Sequence, residues 1–149
     1  MLADEETIRQ AAWEHNMALL RQVREAQCKL GLATMSHCQQ VGHLLHALDL
    51  ESAFDFIATR EDVDQPKPDP EIYQLVARNL DIPLSDTLII EDSVAGVSAG
   101  LSAGARVLAV ATPMTREKLH NSGLLRDAYI VDSPETLQEK LKNLFRESE

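Results

Sequence analysis

The sequence predicts an α/β protein, a mostly parallel sheet with helices on both faces in a three-layer arrangement, and three observations carry that expectation. Short apolar runs alternate with amphipathic stretches almost throughout the chain, and several of the runs stop abruptly at polar groups. Residues 87–105, TLIIEDSVAGVSAGLSAGA, join a strand-like run to a small-residue helix through two adjacent carboxylates. Pro66-Lys67-Pro68-Asp69-Pro70 breaks the chain directly before another helical stretch.

In chain order, residues 4–27 are rich in Ala, Glu, Gln, Arg and Leu and read as helix, with apolar positions at Ile8, Ala11, Ala12, Leu19, Leu20 and Val23. His15-Asn16 marks a break within it, and Trp13, the single tryptophan, is expected to pack. Lys29–Ala33 forms a short strand ending at Thr34-Met35-Ser36-His37. Residues 38–48 have helical spacing, with Val41, Leu44, Leu45 and Leu48 on one side. Residues 54–58 form the next strand and residues 59–65 an acidic loop. Pro70 suits the first position of a helix over 71–80, where its missing N–H costs nothing.

Beyond the central unit, residues 106–111 form a strand, 115–121 a helix and 128–131 a last short strand. Asp132-Ser133-Pro134-Glu135 reads as the cap and first turn of a C-terminal amphipathic helix. There is no internal repeat or low-complexity segment.

The central unit is where chemistry is expected. Thr87-Leu88-Ile89-Ile90 ends at Glu91, Asp92 and Ser93, and ligands of open α/β sheets lie beyond the carboxyl ends of the strands. Two hard oxygen ligands on one turn suit Mg²⁺, which takes one or two carboxylates and completes its shell with water and phosphate. The same pair is equally suited to the positive end of the following helix. Gly96, Gly100 and Gly104 recur every four residues with Ala95, Ala99 and Ala103 beside them. Each glycine costs a helix about 1 kcal/mol relative to alanine, so this ridge implies close approach of the helix backbone to a neighbour.

Composition narrows the class. At 149 residues, 44% hydrophobic and 26% charged, the chain suits one soluble globular domain. A net charge of −10 argues against a nucleic-acid surface. No apolar run approaches a membrane span, and the N-terminus lacks the marks of a signal peptide. Cys28 and Cys38 have no framework spacing and are expected as reduced thiols, which points to the cytoplasm. His43 and His46 read as solvated or packed side chains, since no metal-ligand motif joins them to His37, which stands apart at a strand end.

Three stretches in order, Leu32-Ala33-Thr34-Met35-Ser36, Lys67-Pro68-Asp69-Pro70 and Ile89-Ile90-Glu91-Asp92-Ser93 with Ala95-Gly96, closely resemble the haloacid dehalogenase (HAD) superfamily, in the branch of small-molecule phosphatases and β-phosphoglucomutase-like proteins. The resemblance runs from about residue 17 and implies a HAD-like Rossmannoid core. It implies that Thr34 hydrogen-bonds the transferring phosphoryl group and that Lys67 neutralises its oxygens. It further implies that Ser36 and His37 contact substrate and that Glu91 and Asp92 hold Mg²⁺ directly or through water.

The family's first motif, an apolar strand ending in D-x-D, has no counterpart in the sequence. Asp62-Val63-Asp64 has the letters, but it lies in the acidic loop just before the lysine motif and not directly after an apolar strand. The expectation is therefore an incomplete core over 17–149, with residues 1–16 a remnant of the cap, the first strand and most of the cap being missing. In the family that strand lies between those at 29–34 and 87–91, so its loss opens the sheet and invites self-association. The expected function is Mg²⁺-dependent phosphoryl transfer from a small phosphorylated metabolite, by a phosphatase seen without its nucleophile. The alternatives are a β-phosphoglucomutase-like phosphomutase and a non-catalytic domain that binds phosphate, metal or protein.

Overall fold

The computed structural model describes residues 4–11 and 14–146. Trp13 and the expectation that it packs lie outside these residues, as do the side chains of Ile8, Ala11 and Ala12. The chain divides into two compact units, one of residues up to Pro66 together with Glu71–Ile82, the other of Lys67–Pro70 together with the chain from Pro83 onward. All strand pairing is parallel, in a two-stranded sheet in the first unit and a three-stranded sheet in the second. No helix among the described residues is long and apolar enough to cross a membrane.

The first unit begins with helices α1 (Glu5–Ala11) and α2 (Glu14–Glu25). His15 and Asn16 lie inside α2, so no break falls there. Asparagine costs a helix only a fraction of a kcal/mol, roughly 0.7 at most, which neighbouring turns absorb. Gln27 takes a left-handed φ of 58° and turns the chain into β1 (Gly31–Ala33). β1 pairs with β2 (Phe56–Ala58) through the crossover helix α3 (Cys38–Ala47), which is the connection that parallel strands require.

Both strands are shorter than their apolar runs. Leu30 and Asp55 instead meet through the Leu30 N–H to the Asp55 carboxylate, 2.7 Å, and the Asp55 N–H to the Leu30 carbonyl, 2.7 Å. α4 (Glu71–Leu80) has the bounds expected and buries Ile72, Tyr73, Val76 and Ala77. A Cβ on Gly31 would collide with Val76, so the strand needs glycine there. On α3, Val41, Leu45 and Ala47 are buried, but Leu44 is 42% exposed, so the buried face is narrower than the leucine spacing implied.

The second unit carries β3 (Leu88–Glu91), α5 (Val94–Ser102), β4 (Arg106–Val110), α6 (Arg116–Asn121), β5 (Ile130–Val131) and α7 (Leu137–Arg146). The strand order is β3-β4-β5. β4 lies in the middle and buries Val107, Leu108, Ala109 and Val110, as a strand covered on both faces does. β3 is at an edge, and its Ile90 is 45% exposed. The last strand begins later than its apolar run because residues Asp127–Tyr129 form a 3₁₀ turn.

The expected glycine ridge ends one turn early. Gly96, Ala99 and Gly100 are buried on α5, whereas Ala95 is exposed and Gly104 lies past the helix at φ 86°. The Gly104 N–H bonds to the Leu101 carbonyl and the Ala105 N–H to the Gly100 carbonyl, 3.0 and 3.2 Å, which is the paired C-terminal cap that requires a left-handed residue. At Gly100 a Cβ would press on Val107 and Ile89, so α5 lies directly on β3 and β4.

A charged clasp fastens α6. His120 Nδ1 meets Asp127 Oδ1 at 2.8 Å and Nε2 meets the Asp132 carboxylate at 3.0 Å. A neutral imidazole donates from one nitrogen only, so this geometry needs the imidazolium. Arg116 joins it through the Asp132 carbonyl at 2.7 Å and the Asp132 carboxylate at 3.5 Å. The hydrogen bonds to Asp132 and then Asp127 raise the His120 pKa. A pKa raised on folding adds stability below the unfolded value, about 6.5, and loses it as pH rises through the folded value. Thermal melts of the chain and of His120→Gln should therefore differ most near pH 6 and converge toward pH 9. A gap independent of pH would contradict the imidazolium assignment.

Candidate active site

The turn after β3 is organised around a buried charge pair. Lys67 Nζ donates to Glu91 Oε1, with the two side chains only 10% and 8% exposed. Glu91 Oε2 accepts the Asp92 N–H at 3.2 Å and lies 3.5 Å from Ser93 Oγ. Ser93 is the N-cap of α5, its Oγ accepting the Gly96 N–H at 3.0 Å. A Cβ on Gly96 would fall on the Glu91 carboxylate. The first glycine of the ridge thus makes room for the carboxylate against the helix N-terminus, where negative charge is favoured.

The two adjacent acids have different surroundings. Successive side chains of a strand point to opposite sides; Glu91 is buried and Asp92 is exposed. Both Glu91 oxygens have donors from Lys67, Asp92 and Ser93, which leaves Asp92 as the outward carboxylate of the turn. Among the described residues no three His, Cys, Asp or Glu side chains gather into a metal-binding group. One exposed carboxylate fits Mg²⁺, an ion content with one protein ligand when water and phosphate supply the others.

Thr34, Ser36 and His37 lie together at the end of β1 in the first unit. The Thr34 N–H bonds to the Ala58 carbonyl at 3.0 Å, continuing the ladder by one residue. Thr34 Oγ1 accepts the Ser36 N–H at 3.1 Å, and the Ser36 carbonyl accepts the Arg60 N–H at 3.2 Å. His37 Nδ1 meets Glu61 Oε1 at 2.8 Å, and the Cys38 N–H donates to Glu61 Oε2 at 3.2 Å. The His37 hydrogen bond, followed by one from its own backbone, lowers the Glu61 pKa to about 2. Thus in the second unit Lys67 and Glu91 are in direct contact with Asp92 beside them, and in the first unit Thr34, Ser36 and His37 are grouped after β1.

Glu61 is a residue that sequence reasoning missed, because it is 24 positions from His37 and the acidic loop gave no sign of which acid reaches back. Asp62 is held locally, accepting the Thr59 N–H at 2.7 Å and the Thr59 hydroxyl at 3.1 Å. Thr59-x-x-Asp62 is a capping pattern visible in the sequence. His46 bonds to Glu51 at 2.6 Å, which raises its pKa.

The family model of haloacid dehalogenase-like hydrolases matches residues 5–110, and the chain belongs to that family. A phosphorylated carbohydrates phosphatase of Thermotoga maritima is 40% identical over 82 residues, 55% of this chain and 38% of that protein. The crystal structure of β-phosphoglucomutase from Clostridium difficile superposes with a TM-score of 0.76 at 26% identity, covering 97% of this chain and 62% of the other. CbbY from Rhodobacter sphaeroides in complex with phosphate gives a TM-score of 0.75 at 26% identity, covering 87% and 59%. The fold is the HAD-like α/β fold, and within the family the chain is β-phosphoglucomutase-like. It spans less than two thirds of the length of these relatives.

Proposed function

We propose that this chain is the core portion of a Mg²⁺-dependent phosphatase acting on a small phosphorylated metabolite, with residues 17–149 the core domain and residues 1–16 a remnant of the cap. The observation that carries the reading is the buried Lys67–Glu91 pair beside the exposed Asp92, at the carboxyl end of a parallel strand, in a member of the HAD family. The names of the relatives support a phosphate ester as substrate.

In this reading Thr34 donates its hydroxyl to a phosphoryl oxygen, and Lys67 offsets the charge of the others. Ser36 and His37 meet the rest of the substrate. Asp92 would hold the metal, and Glu91, which meets Lys67, would reach it through water. Bound Mg²⁺ would supply charge neutralisation at the phosphoryl oxygens. The attacking carboxylate is not among the residues of this sequence, so we read the chain as a truncated form. A phosphomutase uses the same groups, and the β-phosphoglucomutase likeness favours that second reading. A non-catalytic domain binding phosphate, metal or protein is the third. The cytoplasm, where exposed thiols such as Cys28 and Cys38 stay reduced, completes the proposal.

The metal assignment is tested with Mn²⁺ as a paramagnetic probe in NMR. Amide signals of Asp92, Ser93 and Val94 should broaden first, and Mg²⁺ should reverse the effect. Broadening elsewhere with these three unaffected would sink the assignment.

The same reading includes self-association. β1 and β3 each have one ladder partner among the described residues, and Ile90 on β3 is 45% exposed. Unpaired strand edges with apolar side chains recruit other strands. Sedimentation should show dimers or larger species that increase with concentration, and Ile90→Lys should reduce them. A monodisperse monomer at high concentration contradicts this part.

A further inference from the structure

We propose that Glu61 is a positioning residue for His37: it fixes the ring with Nδ1–H directed at the carboxylate, so that Nε2 is presented as a hydrogen-bond acceptor to a hydroxyl group of the substrate. The inference deepens the reading of the β1 end as substrate-facing and rests on it for the hydroxyl, whereas the positioning rests on geometry within one compact unit.

Glu61 has several partners. Its carboxylate takes His37 Nδ1 at 2.8 Å and the Cys38 N–H at 3.2 Å, and lies 3.0 Å from the Thr59 hydroxyl, whose single proton is shared between Glu61 and Asp62. These bonds join the first residues of α3 to the 3₁₀ turn Arg60–Asp62, which Asp62 closes on Thr59. Two backbone bonds run alongside, Thr34 N–H to Ala58 and Arg60 N–H to Ser36. The segment after β1 is therefore tied to the segment after β2 at successive points, and Glu61 makes the last tie.

The chemistry follows from which atom holds the proton. A carboxylate ionised down to about pH 2 only accepts, so the 2.8 Å contact requires a proton on Nδ1. A neutral imidazole in that tautomer has its lone pair on Nε2. The side chain is 69% exposed and can meet a ligand. An accepting nitrogen selects a donor, which a sugar or polyol hydroxyl supplies and a fully ionised phosphate does not. Free histidine favours the opposite tautomer, so the carboxylate has a definite preference to overcome. The Gln40 backbone N–H also faces the His37 side chain at the start of α3. If Nδ1 accepted that amide, the proton would be on Nε2 and the proposal would fail.

The test is a long-range ¹H–¹⁵N spectrum of the histidine rings in the full chain, recorded at alkaline pH. The expected pattern for His37 is Nδ1 protonated and Nε2 bare. Glu61→Gln, whose amide oxygen still accepts, should keep it, and Glu61→Ala should move the proton to Nε2. A wild-type ring protonated on Nε2, or one unchanged in Glu61→Ala, overturns the positioning. Should Glu61→Ala fail to fold, the wild-type and Glu61→Gln spectra decide.

Titration with glucose 6-phosphate and, separately, inorganic phosphate tests the hydroxyl. The His37 ring signals should move with the sugar phosphate and not with phosphate alone. Equal movement with both, or none while amides near Asp92 respond, overturns the hydroxyl role and leaves the proposed function standing. No response anywhere in the chain removes the substrate reading and the hydroxyl role with it, while the ring spectrum still decides the role of Glu61.

Discussion

Glu91→Ala should destabilise the chain by about 3–5 kcal/mol, because it removes the carboxylate that meets the buried Lys67 ammonium. A domain of this size has roughly 5–15 kcal/mol in all, so the loss takes from about a fifth of that stability to all of it. Removing the other partner should cost less. In Lys67→Met the Glu91 carboxylate keeps the Asp92 N–H and the N-terminal end of α5. Replacing both, as Lys67→Met with Glu91→Leu, should recover much of the loss, since a buried pair exchanged for packed apolar groups is often neutral. Gly96→Ala should resemble Glu91→Ala in kind, its Cβ displacing the carboxylate from its seat. Urea denaturation of the four variants measures the series. Equal losses for Glu91→Ala and Lys67→Met would show that the carboxylate has no stabilising partner besides Lys67.

The second large effect concerns turnover. Assayed by itself with Mg²⁺, the 149-residue chain is expected to hydrolyse p-nitrophenyl phosphate no faster than buffer. Covalent phosphoryl transfer needs a positioned nucleophile and a proton carrier, and in the proposed reading the groups of the candidate site only position and neutralise. Catalytic groups that act as a unit are strongly non-additive, so losing the nucleophile costs roughly 10³-fold or more. Asp62 cannot serve as a substitute where it stands, because its carboxylate closes the turn on Thr59.

Much of this site could be read from the sequence, and the reasons for the remainder are physical. α4 was legible to its ends because Pro70 fixes its start and its apolar spacing is regular. The acids after β3 were legible as a pair, since an apolar strand ending at a turn is a local pattern. Their division of labour was not, because it depends on Lys67, 24 residues earlier, reaching Glu91 and on Gly96 leaving room for it. Gly104 continued a four-residue period that suggested helix, but spacing carries no information about φ, and its 86° ends α5. Leu44 followed the helical stripe and is nevertheless exposed, because periodicity shows which residues share a face and not how much of that face is covered. Glu61 had no local signal for its reach to His37 and Cys38, which lie across a parallel pair of strands.

The central claim, that Lys67 and Asp92 serve phosphoryl transfer, is tested most directly by restoring what the sequence lacks. A version carrying an apolar strand ending in D-x-D-x-T and a cap ahead of the chain should hydrolyse p-nitrophenyl phosphate with Mg²⁺. That activity should fall by at least 10²-fold in Asp92→Ala and in Lys67→Met, with the chain still folded by circular dichroism. Turnover by the unmodified chain that disappears in Asp92→Ala, or a restored version indifferent to both substitutions, would contradict the account.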